Sequence, residues 1–392
     1  MSLSTPRVPR LRSLVVACAV SMLPAFAQSP PLRYRDPLFG SVDTTTDIPF
    51  GSAIDRYTQR TVTLRLDLHE PRGDGLAARP AIVLVHGGGF TGGNKAASSM
   101  IETAARLAHT GYLVASINYR LAPGGSSITP EVIRDAAHDH LAAVRWLRRE
   151  AARLRIDPTR IAAIGSSAGA ATILDAEYAA DEGQSGNPGF DSSVAAIVDL
   201  WGFLLDPSVI DAHESPLMIV HGTDDQVVPY SAATALRDRA AWIGLPHELH
   251  PMQGSRHAPW NTFWQTEMTG VLAFLFDALA LSREVGLTVD EGFSSPGTLT
   301  LRSHGRASDA WLLLVSPGTP TPIGFGSLGT LALDPNASIL AAYGTFGGNP
   351  PLGSVATTLA VPTDLGGLAL TWQGLQVRGT PRTLTNPIVT NF

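Results

Sequence analysis

Cysteine and lysine are almost missing from this chain: among 392 residues each occurs once, as Cys18 and Lys95. One cysteine excludes an internal disulfide framework, so packing must supply the stability. The basic residues are otherwise arginine, a bias that reads as genome composition rather than as a binding function. Charge is sparse, at 16% of residues with a net value of -6, which argues against a nucleic-acid partner. No phosphate loop or dinucleotide fingerprint occurs. The eleven histidines are scattered. Their densest grouping, Asp135-x-x-His138-Asp139-His140, falls on an expected helix without metal-ligand spacing, so neither metal nor other cofactor is expected.

The chain has one notable N-terminal apolar run, residues 14–27. It follows Arg7, Arg10 and Arg12, ends in Ala25-Phe26-Ala27, and is too short and too interrupted by Pro24 to span a bilayer. This pattern predicts a signal peptide over residues 1–27 and a secreted or periplasmic protein with no transmembrane segment after cleavage. Cutting after Ala27 removes Cys18. A lipoprotein-type cut at Cys18 is the alternative, disfavoured by the short apolar run before it. Residues 28–54 are polar and read as a leader segment.

From residue 55 strand-like and helix-like segments alternate. Strands are expected at 61–68, 81–85, 112–118, 161–164, 194–200 and 217–220. Helices are expected at 102–109, 131–154, after Ser167, at 232–243 and at 271–281. Alternation of this kind predicts a doubly wound, mostly parallel α/β sheet over residues 55–285. Catalytic groups on such a sheet belong just past the carboxyl ends of its strands. Beyond residue 286 charges thin out, and Gly, Pro and Thr punctuate short apolar runs, with Trp311, Tyr343 and Trp372 among them. Residues 286–392 therefore read as a separate, small all-β sandwich of about seven strands, its tryptophans in the core.

Chemistry is concentrated at three turns. Gly165-Ser166-Ser167-Ala168-Gly169 lies between an expected strand and an expected helix, the setting of a nucleophile elbow. The glycines remove Cβ atoms that a tight turn would drive together, and Ser167 would stand at a helix N-terminus that favours developing negative charge. His86-Gly87-Gly88-Gly89-Phe90 follows the 81–85 strand. Amides of Gly88 and Gly89, with that of Ala168, can form an oxyanion hole, and Phe90 is a substitute donor. His221-Gly222-Thr223-Asp224-Asp225 follows the 217–220 strand. Asp225 is the expected orienting acid and Asp224 the alternative. His257 is the expected base, in the chain order Ser, Asp, His. His247 and His250 compete for that role but flank a strand-like Glu248-Leu249 and read as edge decoration. Trp260, Phe263 and Trp264 suit either a pocket wall or a helix core.

Taken together, His86 to Phe90, Asn118-Tyr119-Arg120-Leu121-Ala122-Pro123, Asp139 with 143–147, Ile156-Asp157-Pro158-Thr159-Arg160-Ile161, the 165–169 elbow and His221-Gly222-Thr223-x-Asp225 resemble the α/β-hydrolase esterase/lipase superfamily. The similarity is nearest to the carboxylesterase and carbohydrate-esterase branch with an H-G-G-G-[FW] oxyanion motif, and covers about residues 55–281. It implies a Ser167-His257-Asp225 triad, a hole of Gly88, Gly89 and Ala168, and a structural role for Asp139. Ser166 stands where hormone-sensitive-lipase relatives carry aspartate, which points toward acetylxylan or feruloyl esterase relatives. The expected function is an exported serine carboxylesterase acting on short-acyl or polymer-borne esters, polysaccharide-linked ones included. An oligopeptidase-type serine peptidase and a non-catalytic polymer-binding protein are the alternatives.

Overall fold

The computed structural model describes residues 33–281, apart from 75, 77 and 180, and beyond them mainly strand segments between 286 and 391. The expected signal peptide and Cys18 lie outside the described residues. The first sheet comprises β1 (Val42–Ile54), β2 (Thr61–Pro71), β3 (Arg79–Val85), β4 (Leu113–Ile117), β5 (Ile156–Ser166), β6 (Ala196–Leu200), β7 (Leu217–Gly222) and β8 (His247–Met252). Its order is β1-β2-β4-β3-β5-β6-β7-β8. From β4 to β8 every neighbouring pair is parallel, whereas β2 joins β4, and β1 joins β2, antiparallel.

Strand β3 is buried at all seven positions, as expected of a strand covered on both faces. Its neighbouring side chains go to opposite layers. Ala81, Val83 and Val85 pack with helices α2 (Pro130–Arg149), α4 (Ala168–Tyr178) and α5 (Tyr230–Ile243), while Ile82 and Leu84 pack with α1 (Ser98–Thr110), α6 (Trp260–Thr266) and α7 (Met268–Ala278). The long helix expected over 131–154 is α2 followed, after Glu150, by the single turn α3 (Ala151–Leu154), which ends at Arg155 in the left-handed conformation. Among the described residues no helix is long and apolar enough to cross a membrane.

One boundary differs from the expectation. Within the 28–54 leader segment, residues 42–54 form β1, hydrogen-bonded along β2, so the sheet begins before residue 55. The strand was hidden in the sequence because it is an edge: most of its side chains are exposed, and register shifts between Thr45 and Ile48 and between Pro49 and Gly51 break its alternation.

Among the described residues, the C-terminal region contains strands paired only antiparallel. Its strands are β9 (Gly286–Val289), β10 (Gly297–Arg306), β11 (Ala310–Pro317), β12 (Ile323–Gly324), β13 (Thr330–Leu331), β14 (Ile339–Thr345), β15 (Leu352–Val361), β16 (Ala369–Val377), β17 (Arg382–Leu384) and β18 (Ile388–Asn391). One sheet runs β15-β10-β9. A second runs β14-β11-β16-β17, with β18 also pairing with β16, and β12 and β13 pair alone. Leu299, Leu301, Trp311, Leu313, Val315 and Trp372 are buried, so the two tryptophans serve this domain's interior. Tyr343 is exposed.

Candidate active site

Ser167 follows the last residue of β5 and immediately precedes α4, with φ 53° and ψ -118°. Such a backbone is strained for a residue with a side chain, at a typical cost of about 1–3 kcal/mol. Its surroundings enforce the turn. A Cβ on Gly165 would lie 2.3 Å from the Gly169 carbonyl oxygen, and one on Gly169 would lie 2.3 Å from that of Val85. Both glycines are therefore required by close backbone approach. The Ser167 amide donates to the Leu200 carbonyl at 2.9 Å, tying the elbow to β6.

The glycine turn after β3 presses on this elbow. A Cβ on Gly87 would stand 2.9 Å from the Ser166 carbonyl oxygen and 3.1 Å from the Ser167 Cβ. Gly88 has φ +122° and faces Gly92 so closely that a Cβ would meet the Gly92 oxygen at 2.1 Å. The Gly88 carbonyl accepts from the amides of Thr91 and Gly92, which closes the turn on itself. His86 donates from Nδ1 to the Gly87 carbonyl at 2.7 Å and stacks on Tyr119 at 4.5 Å, while the Tyr119 hydroxyl donates to the His86 carbonyl at 3.0 Å. Burial holds the His86 imidazole below its ordinary pKa and raises the Tyr119 phenol, so both stay neutral braces.

Behind the turn lies Lys95. Its ammonium contacts Asp67 at 2.7 Å and Asp47 at 2.8 Å, and its backbone amide takes the Asn118 side-chain oxygen at 2.7 Å. Burial works to lower its pKa, but the hydrogen bonds and charges of the two aspartates outweigh burial and raise it. The sole lysine thus pins the loop from the glycine turn to α1.

The acid and histidine arrive on loops that hold each other. Asp224 donates its amide to the Ser255 carbonyl at 3.0 Å, Thr223 donates to Met252 at 3.1 Å, and the Thr223 hydroxyl accepts from Gly254 at 2.8 Å. Gly222 permits the contact, since a Cβ there would meet the Ser255 oxygen at 2.3 Å. Asp225 is buried. One of its oxygens accepts from Val227 at 2.8 Å and Val228 at 3.0 Å, and the other accepts from His257 Nδ1 at 2.6 Å. His257 Nε2 accepts from the Ser167 hydroxyl at 2.9 Å. The structure therefore joins Asp225, His257 and Ser167 in one hydrogen-bonded chain.

The competing residues lie elsewhere. Asp224 is exposed. His247 bonds to the Leu245 carbonyl, and His250 lies between Glu248 and Glu267 on β8, the sheet edge opposite β1. Asp139 is buried under Arg120, accepting from its amide and guanidinium and from Ser185. Burial raises its pKa against the lowering effect of Arg120. It fixes the Tyr119-Arg120 segment and does not meet the serine.

Sequence reasoning did not single out the turn after β6. Asp199 pairs in register with Gly165 and accepts the Gly202 amide at 2.7 Å. Full burial raises its carboxyl to about 7. Between them Trp201 sits at φ 48°, wholly buried, edge-on to Trp260 at 4.9 Å and Phe263 at 5.7 Å. Nothing local in Asp199-Leu200-Trp201-Gly202 announces this role. The only signal is a charged residue inside an otherwise apolar strand.

The family model described as BD-FAE matches residues 66–206. Fumonisin B1 esterase of Sphingopyxis macrogoltabida is 30% identical over 119 residues, covering 28% of this chain and 22% of that protein. Phenmedipham hydrolase of Pseudarthrobacter oxydans is 38% identical over 112 residues, with the same coverage of 28% and 22%. The matched stretch thus spans about a fifth of these relatives' length. A solved structure titled as a truncated form of carbohydrate esterase from gut microbiota superposes with a TM-score of 0.50 at 22% identity, over 64% of this chain and 100% of that one. That likeness establishes a shared fold.

Proposed function

We propose, for a chain that belongs to the α/β-hydrolase esterase/lipase superfamily, that it is an exported serine carboxylesterase working through an acyl-enzyme. The carrying observation is the Asp225-His257-Ser167 chain above a strained strand-to-helix turn. In the proposed reaction Ser167 Oγ attacks the ester carbonyl as its proton passes to His257 Nε2. Asp225 stabilises the resulting imidazolium and holds Nδ1 as the donor. The amides of Gly88, Gly89 and Ala168 receive the oxyanion. His257 then gives the proton to the departing alcohol oxygen as the C–O bond breaks. Water, activated by the same histidine, releases the acid and restores Ser167.

The proposed substrates are short-acyl or polymer-borne esters, carbohydrate and feruloyl esters included. What supports an open site is the short β6–β7 connection. Residues 201–216 carry one 3-10 turn (Pro207–Val209), and Arg239 anchors the segment through the Ile210 carbonyl, leaving no length for a large lid. Hydrolysis of ethyl acetate and of p-nitrophenyl esters of graded chain length tests this reading. Expected are a preference for acetyl over long acyl groups and covalent labelling by a fluorophosphonate, both lost in Ser167→Ala. A Ser167→Ala protein as active as wild type overturns the assignment. Export is tested by sequencing the N-terminus of protein recovered outside the cytoplasm, with Gln28 expected first.

A further inference from the structure

We propose that His221 is a positioning residue of the site: it grips the loop that carries Asp225 and fixes the carboxylate oxygen that receives His257. This rests on the esterase reading above and adds a fourth side chain behind its triad. The sequence itself places the ring. Along β7, Leu217 and Ile219 face the layer of α2, α4 and α5, and the period of two puts His221 on the same face. There Tyr230, which opens α5, stands edge-on to the imidazole at 6.0 Å, the planes inclined by 69°. His221 is wholly buried, one residue before the end of the strand.

Its bonding fixes its tautomer. Nε2 lies 2.9 Å from the Val228 carbonyl oxygen, which can only accept, so Nε2 carries the proton. Nδ1 is then a buried lone pair, with no hydrogen-bond partner among the described residues. An aliphatic side chain would fill the space without burying such an atom, so packing alone does not account for a histidine here. Burial holds the imidazole below its ordinary pKa, helped by the charge of His257 and opposed by the Val228 carbonyl and Asp225. The ring is therefore a neutral donor of fixed direction and not a rival base.

What this donor controls is the geometry of the acid. Val228 is held from both sides: its amide donates to Asp225 Oδ1 at 3.0 Å, and its carbonyl accepts from His221. The loop from Asp225 to Val228 is thereby closed onto β7, and the rotation of the carboxylate with it. The His221 Nε2 also stands 3.4 Å from Asp225 Oδ2, both side chains being wholly covered. That distance is long for a second hydrogen bond, yet an N–H dipole in a site without solvent still stabilises charge on Oδ2. Oδ2 is the oxygen that accepts from His257 Nδ1 at 2.6 Å. One donor thus sets both the direction of that oxygen and the negative charge it presents to the imidazolium of His257.

The test compares His221→Leu, which removes the donor, with His221→Gln, whose side-chain amide nitrogen can reach the place of Nε2. On ethyl acetate, His221→Leu should lower kcat about tenfold and leave KM within about twofold, because the fault lies in aiming the base and not in binding. The acid limb of its kcat/KM pH profile should move upward by about half a unit. Without the N–H, Oδ2 presents more charge to His257, and that attraction varies slowly with distance whereas aim varies steeply. His221→Gln should recover most of kcat and return the limb to its wild-type place. A Gln variant no better than Leu, losses shared equally by kcat and KM, or an unmoved acid limb overturns the proposal. Should His221→Leu fail to fold, nitrogen NMR of the wild-type protein decides. A neutral His221 protonated at Nε2 from about pH 5 to about pH 9 is expected, and a ring protonated at Nδ1 or at both nitrogens overturns the proposal. If wild type hydrolyses no ester, the esterase reading fails instead. Displacement of the His257 Nδ1 proton resonance in His221→Leu, reversed in His221→Gln, then decides the role of His221 independently of activity.

Discussion

The serine elbow and the loops that carry Asp225 and His257 are built by opposite means. The elbow is local: five consecutive residues, two of them glycines that admit no Cβ, bend one chain segment into a single conformation. The acid and histidine, in contrast, come from turns after different strands, stitched by hydrogen bonds of Thr223 and Asp224 with Met252, Gly254 and Ser255. The nucleophile's strained turn is then clamped by the backbone at the ends of β3 and β6, at Val85 and Leu200. A base must be aimed from a distance, so its accuracy depends on how two loops pack, and the sharpest experiments disturb one side and leave the other intact.

The largest effect is expected from Asp225→Asn. Its isosteric amide can keep the Val227 and Val228 amides satisfied through the remaining oxygen but no longer accepts from His257 Nδ1 as a carboxylate. In the proposed mechanism kcat falls about 10⁴-fold, as for an imidazole held in the wrong tautomer. The elbow should remain intact, observed as an unchanged unfolding midpoint within the usual error and retained slow labelling of Ser167 by a fluorophosphonate. Activity within tenfold of wild type would mean that the assembled loops do not aim the base.

The same contrast explains what was legible in the sequence. Gly165 to Gly169 and His86 to Phe90 are readable because each needs particular residues at fixed spacing to relieve steric conflict. His257 has no such signature, since Ser255, Arg256 and Ala258 contribute backbone and conformation rather than side-chain chemistry. It is read from chain order and from its place just before the last helices of the α/β region. The sheet was legible wherever strands are buried on both faces, as in β3 and β4. Exposed β1 was not, because an edge strand interrupted by bulges carries neither an apolar run nor clean alternation. The arginine bias reads as composition alone, yet the sole lysine, Lys95, pairs with buried Asp67 and exposed Asp47, 28 and 48 positions away and beyond the reach of any local pattern.

Gly222→Ala attacks the assembled side through packing alone. Its Cβ would stand 2.3 Å from the Ser255 oxygen and 2.8 Å from that of Arg256, pushing away the loop that leads to His257. The expected cost is about 1–3 kcal/mol of stability. A displacement of about 1 Å at the histidine lowers kcat on the order of 10²-fold. Denaturant unfolding together with kcat on ethyl acetate checks both. A variant that loses stability but keeps full kcat would show that the loop contact merely supports the fold.

On the elbow's side, Asp199 makes stability depend on pH. Its carboxyl titrates near 7 in the fold against an ordinary value of 3.8, because burial disfavours the charged form. The raised value means the unfolded chain releases this proton first. The stabilising contribution is complete at low pH, declines from about pH 4 and is gone once pH passes about 7. Asp199→Asn keeps an acceptor for the Gly202 amide but cannot ionise. Between pH 5 and pH 8 the difference in unfolding free energy should therefore move toward the variant by about 2–3 kcal/mol. Parallel pH profiles for the two proteins would show that the carboxyl is not titrating in this range.

The smallest effect is expected one residue away from the largest. Asp224 and Asp225 are consecutive carboxylates in the same turn, and sequence alone leaves either able to orient the histidine. In the structure Asp224 is exposed, its carboxylate 3.3 Å from the Thr223 hydroxyl, and what it gives to the site is its backbone amide, bonded to Ser255. Asparagine at position 224 retains that amide, so Asp224→Asn should change kcat and KM by less than about twofold, the range of surface substitutions worth about 0.5 kcal/mol. A loss comparable with that of Asp225→Asn would exchange the roles of the two acids. It would also mean that the loops after β7 and β8 rearrange when substrate binds, so that the assembled half of the site is completed by substrate while the elbow stands ready before it arrives.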